Sequence, residues 1–187
     1  MSSANKKSIL DFFAPSSPMP KYRFNSVLDI TVDDFHKMGA KAIALDIDNT
    51  ICNDGKDNVI DGLHEWLEVI QNAGIKVMII SNAIEPRPGK IAKSLNLPYL
   101  CFARKPFAHK LVKGAKMMGV EIHQFAMIGD QLFADIKAAN RCGAIGIRVE
   151  PMEGETRYKT YYARRRAKEA PVLKEFEKLH GFGVYDE

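Results

Sequence analysis

Two aspartates, Asp46 and Asp48, stand one residue apart at the end of a small apolar run in "AIALDIDNTIC", residues 42–52. Carboxylates this close repel one another unless something neutralises them. Strand alternation places residues i and i+2 on one side, so both can face one small volume. Polar residues also end other apolar runs: Ser81 and Asn82 after "IKVMII", Lys105 after "YLCF", and Asp130 after "FAMIG". A buried strand has no structural need to finish in a carboxylate. Asp46, Asp48 and Asp130 together would raise one another's pKa values or bind a cation. Hard oxygen ligands with no histidine or cysteine beside them suit Mg²⁺. The metal would cancel the repulsion and attract phosphate, leaving one aspartate as nucleophile and its neighbour as proton donor.

The elements that must position these groups follow from periodicity. "AIALDI", "IKVMIIS", "FAMIG" and "AIGIRV" read as buried strands, and "YLCF" as a short one. "DGLHEWLEVIQNAG" is an amphipathic helix with Leu63, Trp66, Leu67 and Ile70 on one face and Gly74 closing it. "TVDDFHKMG" opens with a capping box, Thr31 with Asp34, and ends at Gly39. "PGKIAKSLNL", "FAHKLVKGAKMMG" and "LFADIKAANRCG" are further helices. Strands alternating with helices predict an α/β fold, a Rossmann-like, doubly wound parallel sheet with helices on both faces. In such sheets ligands bind at the carboxyl ends of the strands, where the polar residues gather.

These residues resemble a known pattern. "DIDNT" resembles the D-x-D-x-T signature of the haloacid-dehalogenase-like (HAD) phosphatases. Ser81 in "IISNA", Lys105 in "ARKP", and Asp130 with Asp135 in "GDQLFAD" match that family's later motifs in order. "GDQLFADIKAANRCG", with Ser26, Val27, Asp29 and Ile30 ahead of the core, is similar to the bacterial YqeG branch, which is related to mitochondrial phosphatidylglycerophosphate phosphatases. The resemblance implies a Mg²⁺-dependent phosphomonoester hydrolase with an aspartyl-phosphate intermediate. Asp46 would be the nucleophile, and Asp48 the acid that protonates the leaving oxygen and then the base that activates water. Ser81, with Asn82 and Thr50, would serve the phosphate, Thr50 by holding the loop. Lys105 would neutralise charge on the phosphoryl group and on Asp46. Asp46, Asp48 (through its backbone carbonyl) and Asp130 would hold the metal, with Asp135 in support; Gln131 borders the site.

HAD enzymes often insert a cap after the first or second motif. Residues 49–80 here are used up by a short flap ("ICNDGKDNV"), a helix and a strand, and residues 82–104 are too few. No large cap domain is expected, and an open site suits a bulky substrate. A lipid phosphate such as phosphatidylglycerophosphate is one reading. Soluble sugar phosphates or nucleotides are an alternative. An RNA- or ribosome-associated binding protein with little catalytic role is the alternative from another class.

The chain has 187 residues, 46% hydrophobic and 27% charged, with a net charge of +4. That composition supports one globular domain and argues against disorder. Residues 1–24 read as a flexible or peripheral lead-in, 25–150 as the phosphatase core, and 151–187 as a basic helical extension on or beside it. No apolar run reaches the roughly 18 residues of a transmembrane helix, and "MSSANKKSILDFFAP" is not a signal peptide. The expected location is cytoplasmic or peripheral to a membrane. Cys52, Cys101 and Cys142 are too scattered for a disulfide framework, and His64, His109 and His123 read as ordinary surface or structural residues. The stretch "RYKTYYARRRAK" (157–168) carries six cations and three tyrosines without an acid. It reads as a solvated face, a contact for an anionic membrane surface, or a weaker candidate for RNA. Pro171 is expected to split the tail helix, and Phe12–Phe13 to dock on the core or a membrane.

Overall fold

The structure, a computed structural model, describes residues 16–152 and 159–180. The Phe12–Phe13 segment, Arg157 and Tyr158 lie outside the described residues. Six strands form one parallel sheet: β1 (Tyr22–Phe24), β2 (Ala42–Leu45), β3 (Lys76–Ile80), β4 (Tyr99–Leu100), β5 (Phe125–Gly129) and β6 (Ile145–Val149). The helices are α1 (Val32–Lys37), α2 (Leu63–Asn72), α3 (Arg87–Ser94), α4 (His109–Met118), α5 (Lys137–Cys142) and α6 (Lys159–His180). The strand order is β1-β6-β5-β2-β3-β4. The chain runs outward from β2 through β3 to β4, then returns to the other side of β2 with β5. Strand order therefore reverses between β2 and β5, where an open α/β sheet forms its binding crevice.

Alternation along the central strands divides the core in two. Ile43, Leu45, Val77, Ile79, Ala126 and Ile128 face one side, with α1, α2 and α3. Ala42, Ala44, Met78, Ile80, Phe125 and Met127 face the other, with α4 and α5. The expected apolar face of α2 is buried: Leu63, Trp66, Leu67 and Ile70 all pack inward. Each such side chain contributes about 1.5–3 kcal/mol relative to exposure. Trp66 also donates its indole N–H to the Ile30 carbonyl at 2.8 Å. Thr31 and Asp34 close the expected capping box of α1.

Two elements differ from the sequence expectation. Tyr22–Phe24, inside the stretch read as a lead-in, is the edge strand β1, paired in register with Ile147–Val149. Three residues are too short to display a period. Pro171 does not split the tail helix, since α6 runs through it. A mid-helix proline costs about 3 kcal/mol. Here Glu169 and Phe176, on either side of it, are fully buried against the core and hold both halves in line.

Candidate active site

Asp46 immediately follows β2, and its amide donates to the Ile128 carbonyl of β5 at 2.9 Å. Ile47 turns into the core, so Asp46 and Asp48 emerge on the same side and both line one pocket of about 170 Å³. Ser81, Asn82 and Lys105 line it from the ends of β3 and β4, and Gln131 and Asp135 from beyond β5.

Lys105 is the hub. Its ammonium lies 2.8 Å from Asp46 Oδ1 and 2.6 Å from Asp135 Oδ1 and donates to the Ile80 carbonyl at 2.9 Å. Burial works against its charge, yet Asp135 and Asp46 outweigh that and raise its pKa. Asn82 holds the Lys105 backbone reciprocally: its Oδ1 accepts from the Lys105 amide at 2.7 Å, and its Nδ2 donates to the Lys105 carbonyl at 3.2 Å. Asn82 thus meets the pocket chiefly as a clamp on the lysine. Ser81 is buried, and its Oγ accepts from the Ala83 amide at 3.1 Å.

Asp135 lies on a single turn of π-helix, Leu132–Ile136, a distortion that often marks functional sites. Its Oδ2 accepts from the Gln131 amide at 3.0 Å. Gly129 admits it: a Cβ there would lie 2.4 Å from the Asp135 carboxylate, so any other residue would displace that side chain. Sequence reading gave Asp135 only a supporting place, yet the structure sets it in the middle of the cluster.

Asp46, Asp130 and Asp135 each offer a carboxylate oxygen, all within 4.8 Å of one another. Burial pushes Asp46 up to about 7, against the pull of Lys105. It pushes Asp130 up to about 6, against the pull of Arg166. Asp130 Oδ1 is buried without a hydrogen-bond partner. With Glu169 the buried carboxylates number four, against two cations, Lys105 and Arg166. The fully ionised set carries a net charge of −2. Asp46, Asp130 and Asp135 would hold a divalent cation, which would balance that charge. The donor set, all oxygen, fits Mg²⁺.

Asp48 lines the same pocket but is held from its flap side. Its carboxylate pairs with Arg87 of α3, at 2.9 and 3.1 Å to its two oxygens, and accepts from the Gly55 amide at 3.0 Å. Arg87 also bonds the Lys56 carbonyl and lies 3.2 Å from Asp57, so one guanidinium ties the flap to Asp48. Arg87 escaped sequence reading because it stands in a helix start ("EPRPGK") outside every motif. Thr50 does not reach the pocket. Its amide holds the turn through the Ile47 carbonyl at 3.3 Å, and its side chain borders a separate cavity with Ser26, Ile60 and Val149. His64, His109 and His123 do not line the pocket, and burial pushes the Cys52 thiol up to about 12.

Residues 3–152 match the family described as Mitochondrial PGP phosphatase. The chain belongs to this family. It is 30% identical over 147 residues to the Probable phosphatase YqeG of Bacillus subtilis (strain 168), covering 79% of this chain and 86% of that protein. Among solved structures, an uncharacterized protein from Listeria monocytogenes serotype 4b has a TM-score of 0.51 at 16% identity, covering 63% of this chain and 84% of that one; this likeness concerns the fold alone. The 3-deoxy-D-manno-octulosonate 8-phosphate phosphatase from Moraxella catarrhalis, in complex with magnesium, phosphate and KDO, has a TM-score of 0.47 at 21% identity, covering 79% and 95%. The chain is a HAD-type phosphatase of the YqeG-like branch, a phosphoric monoester hydrolase.

Among the described residues this phosphatase has no large cap, and the helical extension expected on or beside the core forms a wall of the pocket. Helix α6 brings Tyr161, Tyr162 and Arg165 to the pocket lining. Tyr162 donates its hydroxyl to Asp54 of the flap at 3.1 Å. Arg166 pairs with the Asp130 carboxylate and donates to the Asp130 carbonyl at 2.8 Å and to Glu169 at 2.7 Å. Glu169 accepts from the Leu132 amide at 2.9 Å. The basic stretch is therefore partly turned inward, and the expected acid-free solvated face holds only for part of it. Among the described residues no helix is long and apolar enough to cross a membrane.

Proposed function

We propose that this phosphatase transfers the phosphoryl group of its substrate to Asp46 and then to water, and that the substrate is a lipid phosphate such as phosphatidylglycerophosphate. The observation that carries the catalytic part is the Lys105 contact: a buried ammonium fixes one oxygen of Asp46 at the switch point of the sheet, beside Asp130 and Asp135. The free Asp46 oxygen attacks phosphorus as the bond to the leaving oxygen breaks, and Asp48 gives that oxygen its proton. Asp48 then takes a proton from water. The hydroxide attacks phosphorus, the bond to Asp46 breaks, and inorganic phosphate leaves. Lys105 and the Ser81 hydroxyl face the charge that develops on the phosphoryl oxygens. Mg²⁺, held by Asp46, Asp130 and the Asp48 carbonyl with Asp135 behind them, would supply charge neutralisation to the same oxygens. Donation from Asp48 requires Arg87 to yield one carboxylate oxygen, and its contacts with the flap keep it close when it does.

The lipid part is supported by the rim. Ile84, Phe102 and Phe107 are 65%, 48% and 42% exposed. They stand on the loops that carry Ser81, Asn82 and Lys105. The Phe102 amide donates to the Ala83 carbonyl at 2.8 Å and joins these loops. Phe102 and Arg104 both adopt left-handed backbone, φ 47° and 54°, a conformation that costs non-glycine residues energy. Arg104 lies over the Phe102 ring at 4.4 Å. Apolar side chains edged by cations on the loops that also carry pocket residues suit the surface of an anionic bilayer.

The test is a panel of phosphomonoesters assayed with Mg²⁺ and with excess EDTA. It includes phosphatidylglycerophosphate in anionic vesicles, glycerol 3-phosphate, a sugar phosphate and a nucleotide. The lipid should turn over fastest, and chelation should stop all turnover. Faster turnover of a soluble ester would overturn the lipid assignment, and undiminished turnover in EDTA would overturn the metal.

A further inference from the structure

We infer that the α6 side of the catalytic pocket carries a second anion subsite, built by Arg164, Arg165 and Lys168, for a phosphate of the substrate other than the one that is cleaved. The inference rests on the phosphatase mechanism above and deepens it. A pocket of about 170 Å³ takes a phosphoryl group and few further atoms, so the remainder of the substrate must extend out of it. A wider cleft of about 720 Å³ shares Tyr161 and Arg165 with that pocket and is completed by Phe133, Thr160, Arg164 and Lys168.

The cations of this cleft differ from those of the site floor. Lys105 is matched to Asp46 and Asp135, Arg87 to Asp48 and Asp57, and Arg166 to Asp130 and Glu169. Arg164, Arg165 and Lys168 have no carboxylate partner among the described residues. Arg165 instead donates to the Tyr161 hydroxyl and lies 5.4 Å from the centre of its ring. On a helix, residues three and four apart are neighbours, so Lys168 stands beside both Arg164 and Arg165. Like charges at that spacing destabilise the helix unless an anion lies between them. Two arginines and a lysine offer charge-assisted donors to phosphate oxygens. The faces of Phe133 and Tyr161 offer apolar cover for a short carbon bridge between two phosphates. The ligand class is a phosphomonoester with a second phosphate a few bonds away. The second group is either the phosphodiester of a lipid headgroup or another monoester on a soluble bisphosphate.

Calorimetry on the full chain with Mg²⁺ tests this with three non-hydrolysable probes. One is a glycerol monophosphonate, the second adds a phosphodiester at the far end of the carbon bridge, and the third is the corresponding bisphosphonate. Wild type should bind at least one two-anion probe about tenfold or more tightly than the monophosphonate. Arg164→Ser with Lys168→Ser, both on the exposed side of α6, should cut that preference to about twofold and leave monophosphonate affinity unchanged. Preference for the diester points to a lipid headgroup, and preference for the bisphosphonate to a soluble substrate. Equal affinity for all three probes in wild type, or a preference that survives the double substitution, overturns the subsite and leaves the catalytic mechanism standing. If no probe binds, both fall.

Discussion

The floor of the pocket and its α6 wall carry their charge in opposite ways. On the floor, Asp46, Asp130, Asp135 and Lys105 are buried at strand ends and in the turns after them; Lys105 meets Asp46 and Asp135 at 2.6–2.8 Å, and Asp130 offers an oxygen within 4.8 Å of theirs. On the wall, Arg164 and Lys168 are exposed, Arg165 is half-buried, and none of the three meets a carboxylate among the described residues. The two regions are joined by Arg166 and Glu169, which descend from α6 to Asp130 and the Leu132 amide. A buried floor whose cations are each paired with carboxylates suits chemistry that every substrate shares. An outer wall with unspent charge suits the part that varies between substrates. The difference teaches that an open site can gain a wall from a helix remote in sequence, provided that helix is anchored by ion pairs to the floor itself.

Breaking the joint should have the largest effect. Arg166→Met leaves Asp130 and Glu169 buried without their cation. Removing one partner of a buried pair costs about 3–5 kcal/mol; the Arg166 side chain is 24% exposed, so about 2 kcal/mol is expected here. Thermal unfolding should show a melting temperature lower by several degrees. The same substitution makes the floor more negative, so Mg²⁺ should bind more tightly and restore more stability than it gives wild type. Weaker Mg²⁺ binding in Arg166→Met would mean that the joint shapes the metal site rather than competing for Asp130.

A smaller effect is expected at the flap. Arg87→Met releases Asp48 and the Lys56 carbonyl together. Steady-state kinetics on a soluble ester should show kcat lower by about tenfold, the equivalent of about 1.4 kcal/mol in the barrier. Trypsin should cut after Lys56 faster than in wild type. Unchanged kcat with faster cleavage would make Arg87 a flap tether only.

The smallest effect belongs to the rim. Phe102→Ser with Phe107→Ser removes apolar area that is already about half exposed. Sedimentation with anionic vesicles should show binding weaker by about threefold to tenfold, on the scale of about 25 cal/mol per Å². Turnover of a soluble ester should stay the same. Equal vesicle binding by wild type and variant would take the rim out of the lipid account.

The floor was legible in the sequence for a physical reason. β2, β3 and β5 are continuous apolar runs, so the residues that interrupt them stand out, and the parallel sheet brings every such end to one rim. Asp135 was undervalued because its part depends on a π-turn and on the close approach that Gly129 allows, neither of which has a period. Arg87 and Arg166 were illegible as site residues for a related reason. Each reaches its carboxylate from a helix remote in sequence, by docking that only tertiary packing decides. Thr50 shows the converse: a residue inside the motif whose side chain the turn directs to another cavity. In α6 the run of cations hid an inward stripe, Tyr162, Arg166 and Glu169, spaced four and three residues apart, and burial of Phe176 overrode the break expected at Pro171.

Asp46 is the group proposed to carry the phosphoryl intermediate. Wild type mixed with a radiolabelled phosphomonoester and Mg²⁺, then quenched in acid during turnover, should retain label on the peptide containing Asp46. Hydroxylamine should release that label, as it does from an acyl phosphate, and Asp46→Asn should show neither label nor turnover. Label on another residue, or full turnover by Asp46→Asn, would contradict the mechanism.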